Sequence, residues 1–146
     1  MTTIQRQILD AVVARLRASP VIVTRPSERT RIAHRTQVTR AESPAIHVRP
    51  QTDAPVGTKD CVERRLAFEV AIFGRDDGGV DSIDELMVAV MARIKPARGD
   101  AIAYPSGTRI DPGAITFTEE DADEDVAFAS LAFVATYPAA SWSLDA

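Results

Sequence analysis

Between residues 62 and 73 the chain reads VERRLAFEVAIF. Leu66, Phe68, Val70 and Ile72 fall on one side of an extended chain; Arg65, Ala67, Glu69, Ala71 and Phe73 fall on the other. A period of two, with one side apolar and the other tolerant of charge, marks a strand in an antiparallel sheet with one face on a core. Working outward, Ala45 to Arg49 alternates in the same way, with Ile46 and Val48 on one side and His47 facing outward. Pro50 and Pro55 predict a loop running through Gly57. On the other flank, Gly74 to Gly79 predicts a turn, and Ala114 to Thr118 a strand with Ile115 and Phe117 inward. Val126 to Tyr137 predicts a long strand. Its apolar set changes phase near Ser130, from Val126 and Phe128 to Leu131, Phe133 and Tyr137, which predicts a bulge or two buried faces.

Two segments have helical spacing instead. In residues 3–17, Ile4, Ile8, Ala11, Val12 and Leu16 line one face. Thr2 with Gln5 fits a capping box, Arg15 and Arg17 suit the negative end of the helix dipole, and Ser19-Pro20 is a stop. In residues 82–95, Ile83, Leu86, Met87, Val90, Met91 and Ile94 make an apolar stripe. Ser82 with Glu85 fits a second capping box, and Pro96 ends the helix. Val21 to Val23 is a short run of strand type, and residues 96–113 are rich in Pro and Gly and read as loop. Helix, strands, helix, strands define an α+β class: a mainly antiparallel sheet packed by two amphipathic helices. The 146 residues suit one domain, with a long Arg-rich arm or loop at 24–43 and a C-terminal tail at 138–146 that holds Trp142.

Composition narrows the class. The chain is 45% hydrophobic and 26% charged, an ordinary globular balance. No apolar run approaches membrane-spanning length, so no membrane association is expected. The first residues lack a signal-peptide pattern, and the lone Cys61 fits a reducing cytoplasm. Net charge is −4, but residues 1–50 hold nine arginines against three acids, a net +6, and the remainder carries −10. Such asymmetry points to contacts between unlike surfaces, within the fold or between copies.

The sequence holds no recognisable catalytic constellation. Phosphate-cradling glycine loops and a GxSxG elbow are missing, and Cys61 has no nearby histidine, so no catalytic residue and no cofactor are expected. One Cys and two His, His34 and His47, do not make a zinc site. The run Glu119, Glu120, Asp121, Ala122, Asp123, Glu124, Asp125 resembles a hard-cation ligand set only loosely, lacks the glycine of a calcium loop, and reads as a solvated turn or a surface facing arginines. The arm carries Arg25, Arg29, Arg31, Arg35 and Arg40. Nucleic-acid contact is one reading of it, but single-strand binders interleave aromatic residues, and none lies between Met1 and Arg65. A solvated loop is another. The preferred reading pairs this basic segment with the acidic run of a neighbouring copy, head to tail.

The layout resembles the tail terminator proteins of long-tailed bacteriophages, the minor tail protein U group. The resemblance rests on the N-terminal helix TTIQRQILDAVVARLR, the Pro44-Ala45-Ile46-His47-Val48 strand and the strand Val62 to Phe73. It continues through the Ile83-Asp84-Glu85-Leu86 helix start and the acidic turn running into VAFASLAFVATYPA. It implies a structural virion protein, not an enzyme, forming a six-membered ring that caps the tail tube, ends its polymerisation and presents the head-joining surface. It implies contacts through the 24–43 arm and the loops around 52–60 and 96–113. The implied partners are further copies of the chain, the tail tube protein and the head–tail connector or neck protein, with DNA passing through without specific binding. The implied location is the virion, after assembly in the host cytoplasm. A tail-tube or head-closure component, and a small metal-binding or enzymatic module, are the alternatives.

Overall fold

The structure, a computed structural model, describes residues 3–19, 31–33, 45–56, 63–75, 79–97, 99–119 and 126–139. In chain order these form α1 (Ile4–Arg17), β1 (Arg31–Ala33), β2 (Ala45–Val56), β3 (Glu63–Arg75), α2 (Gly79–Ile94), β4 (Arg109–Glu119) and β5 (Val126–Pro138). The strands make one sheet in the order β1-β2-β3-β5-β4. β1 runs parallel to β2, and every other pairing is antiparallel. This is the α+β architecture expected.

The core forms where the alternation of β3 meets its neighbours. Phe68 lies opposite Pro50 on β2 and Phe133 on β5, and Val70 opposite Val48 and Leu131. Residues directly opposite share a face, so the register stacks Leu66, Phe68, Val70 and Ile72 with Ile46, Val48, Leu131, Phe133 and Ala135, all buried. The Phe68 and Phe133 rings stack at 5.5 Å between centroids, a spacing that adds about 0.5–1.5 kcal/mol beyond area burial. α1 adds Ile8, Val12 and Leu16, and α2 adds Leu86, Val90 and Ile94, all buried. α2 lies over β3 and β5, and α1 toward β1 and β2.

Several boundaries differ from the sequence expectation. The α1 cap is Thr3, whose hydroxyl accepts the Arg6 N–H at 3.3 Å, and not Thr2, which is outside the described residues. α2 starts at Gly79, so Ser82 lies inside it instead of capping it. Gly74 and Arg75 belong to β3, and Arg109 to Gly113 belong to β4. Pro50 and Pro55 do not open a loop but sit within β2. β1 covers only Ala45 to His47, so beyond that point β2 has β3 alone as a neighbour among the described residues. A strand free on one side tolerates residues that lack an N–H. The β2–β3 register slips between Pro50 and Thr52, leaving Gln51 as the extra residue of a bulge.

No bulge interrupts β5 against β3, whose register is continuous from Glu63↔Pro138 to Arg75↔Val126. The irregularity is in β4 instead, between Pro112 and Ile115. The side chains of Val126 and Phe128, which begin the phase change, lie outside those described, while β5 has buried residues on both faces, Leu131 and Phe133 on one and Thr136 on the other. His47 follows the same rule. It was expected to face solvent, but it is only 2% exposed, opposite the buried Ala71. The residues Val21 to Val23, Cys61 and Trp142 lie outside the described residues.

Candidate functional surface

The expectation that Ile115 and Phe117 point into the core is overturned. They share the helix-side face, opposite Leu131 and Ala129 of β5, yet are 44% and 65% exposed. The cause is position: β4 is the last strand of the sheet, and the helices lie over the other strands. Only Val88, on the outward side of α2, is a further exposed large hydrophobic among the described residues. Among the described residues β4 is therefore an edge, with no strand on its outer side and an apolar face that the helices leave uncovered, the features that make a strand a contact surface.

Sequence reading assigned Arg15 to the end of its own helix. The structure turns it to the end of α2 instead. Its side chain is 4% exposed. It donates from Nε to Arg93 O at 2.8 Å and from Nη2 to Lys95 O at 3.0 Å. It also donates from Nη1 to Ile102 O at 2.7 Å and from Nη2 to Asp100 Oδ2 at 2.5 Å. Tyr104 donates to Ile94 O at 2.7 Å, and its ring lies 4.6 Å from the guanidinium carbon. The last carbonyls of a helix have no intrahelical partner, and here three consecutive ones are satisfied from outside. Arg93 Nε returns a bond to Arg15 O at 3.0 Å. The signal for this was legible: position 15 follows Ile8 by seven and Ala11 by four, so this arginine sits on the apolar stripe.

Partial desolvation pushes the Asp100 carboxyl up, but the Ala97 N–H and the Arg15 guanidinium outweigh it and hold it below the usual carboxylate range. Burial pushes the Tyr104 hydroxyl up to about 12.

A second polar cluster lies on the helix-side face of the sheet. Arg64 Nε donates to Asp53 Oδ1 at 2.8 Å, and the Tyr137 hydroxyl donates to Asp53 Oδ2. The β2 bulge brings Asp53 onto this face, opposite Leu66. Burial first, then the bond to Asp53, push the Tyr137 hydroxyl well above its usual value. On the opposite face Glu69 accepts from Arg49 at 3.3 Å, Gln51 at 3.4 Å and Ser130 at 2.7 Å. These groups have their donors and acceptors matched to one another across strands, an arrangement that ties strands together.

Of the expected interface residues, Arg31 opens β1, opposite Ala45, and Glu119 closes β4, opposite Ala127. They lie on opposite edges of the sheet, with β2, β3 and β5 between. Four strand spacings are about 19 Å. Arg25, Arg29, Arg35, Arg40, Glu120, Asp121, Asp123, Glu124 and Asp125 lie outside the described residues, the last five in the connection between antiparallel β4 and β5. Among the described residues no group of three or more His, Cys, Asp or Glu is placed to hold a metal ion. No helix there is long and apolar enough to cross a membrane.

Compared with known protein families the chain matches none, and no curated protein matches it.

Proposed function

We propose that this chain is a structural subunit of the tail-terminator kind. In this reading six copies close into a ring on the end of a phage tail tube, stop its growth and form the surface that joins the head. Its partners are its own copies, the tube protein and the connector or neck protein, and DNA passes through the ring unbound. The reading assigns the chain no catalysis. The observation that supports it most is the separation of Arg31 and Glu119 on opposite edges of one sheet. Positions 31 and 119, one basic and one acidic, stand about 19 Å apart across the sheet and so offer unlike charges to two different neighbours. Two unlike faces at a fixed rotation are what a closed ring requires. Exposed ion pairs contribute about 0–1 kcal/mol each, so apolar surface such as that of Ile115 and Phe117 supplies the remainder.

The test is the mass and image of the native particle, with and without tube protein. Closed rings of uniform size that cap tubes are expected. Changing Arg29, Arg31 and Arg35 together to Glu weakens assembly and flattens its salt dependence, because screening acts within about 8–10 Å at ordinary ionic strength. Open stacks instead of closed rings would assign the chain to the tube itself. A particle that never exceeds a few copies and ignores tube protein would end the reading.

A further inference from the structure

We infer that the open edge of β4 pairs with the same edge of a second copy, antiparallel and about a two-fold axis through Thr116. The inference goes beyond the ring and does not rest on it.

The outer edge of β4 is unprotected where it counts. Proteins guard edge strands with charge, proline or a bulge. β4 has Pro112 and the irregularity before Ile115, which guard only its first half. From Pro112 to Thr118 the sequence PGAITFT contains no charged residue. The regular part beyond the irregularity keeps an unbroken ladder with β5, from Ile115↔Leu131 to Glu119↔Ala127. With no strand on its other side among the described residues, it presents a regular row of backbone donors and acceptors there.

The same segment matches itself. Antiparallel pairing centred on Thr116 sets Ile115 opposite Phe117 of the second copy, Phe117 opposite Ile115, and Thr116 opposite Thr116. Aromatic with β-branched, and Thr with Thr, are favourable cross-strand pairs. A two-fold axis perpendicular to the sheet keeps faces together. Four apolar side chains, 44% and 65% exposed in the single chain, then share one strip on the helix side, and the two threonines meet on the other. A foreign strand would need no such match. An isologous pair also uses up the edge, so the contact closes on itself and does not propagate. Within the ring reading, the pair would hold the β4 edge out of play until ring contacts replace it.

The geometry dictates the test. Directly opposite residues in an antiparallel pair are about 4.5–5.5 Å apart at Cα, within the range a disulfide spans. In a Cys61→Ser background, Thr116→Cys should link to itself on mild oxidation, giving a covalent dimer. Ala114→Cys, which the register places opposite Thr118 and away from its own copy, should not. The parent should show a concentration-dependent dimer by sedimentation. Phe117→Lys should weaken that dimer at least tenfold without changing the melting temperature of the monomer, because the ring it replaces is mostly in solvent. A parent that stays monomeric, equal linking at 114 and 116, or a Phe117→Lys variant that dimerises like the parent would each overturn the inference. A free subunit that never links at Thr116 yet goes on to build rings would overturn it and leave the ring standing; a parent that pairs through Thr116 before assembly yet, with the link reduced, never builds rings would do the reverse.

Discussion

Arg15 and Asp100 are joined at 2.5 Å, Nη2 to Oδ2, from the last turn of the first helix to the loop that leaves the second. With the carbonyls of Arg93, Lys95 and Ile102 on the same guanidinium, this one side chain fixes how the two helices lie over the sheet.

Replacing Arg15 by Met keeps most of the volume and removes every donor. The carbonyls left without partners, and the loss of the Asp100 partner, should cost about 3–5 kcal/mol, or roughly 10 °C in melting temperature for a chain of this size. Arg15→Lys should recover only part, because an ammonium cannot reproduce the planar fork. Urea unfolding of the three proteins gives the comparison.

Acid should act through Asp100. Its folded pKa is depressed, so its contribution is present above the unfolded carboxylate value of about 3.9 and is lost as pH falls through the folded value. Asp100→Asn should therefore be less stable than the parent at neutral pH, and the gap should shrink below pH ~3.9. A gap that stays constant across that range would remove Asp100 from the account.

Alkali should act through the two tyrosines of the chain. Tyr104 is raised to about 12 by burial, and Tyr137 is raised further. A raised folded pKa means stability that is complete below the unfolded value near 10 and lost as pH climbs through the folded value. Phenolate absorbance should stay absent from the folded protein just above pH ~10 and appear together with unfolding. Tyr104→Phe should flatten the alkaline slope and, at neutral pH, cost about 1 kcal/mol for the bond to Ile94 O.

Asp53 accepts from both Arg64 and Tyr137. Asp53→Ala should cost about 3 kcal/mol, because two donors are left in a mostly buried site. Tyr137→Phe should cost nearer 1 kcal/mol, since it removes donor and demand together. The two changes combined should cost less than the sum of the singles, as a double-mutant cycle in urea would read.

The elements whose pattern is complete within themselves are legible in the sequence. The alternation of Leu66 to Ile72, the helical stripes of Ile4 to Leu16 and Leu86 to Ile94, and the α+β order all follow from periodicity. Strand length was less legible. Pro50 and Pro55 read locally as loop, and only the shortness of β1 beside them lets them stay in a strand.

What the amino-acid order determined by itself is which side of each element is apolar, because that depends on spacing along one chain. What tertiary structure alone decided is which apolar sides find cover. Phe68 and Phe117 stand in similar alternating strands, yet Phe68 is fully buried and Phe117 is not. The first lies on a central strand under a helix, the second on the last strand beyond the helices. Strand order is a property of contacts far apart in sequence, and the same is true of Arg15, whose helical position marked it as unusual but whose partners lie 78 to 87 residues away.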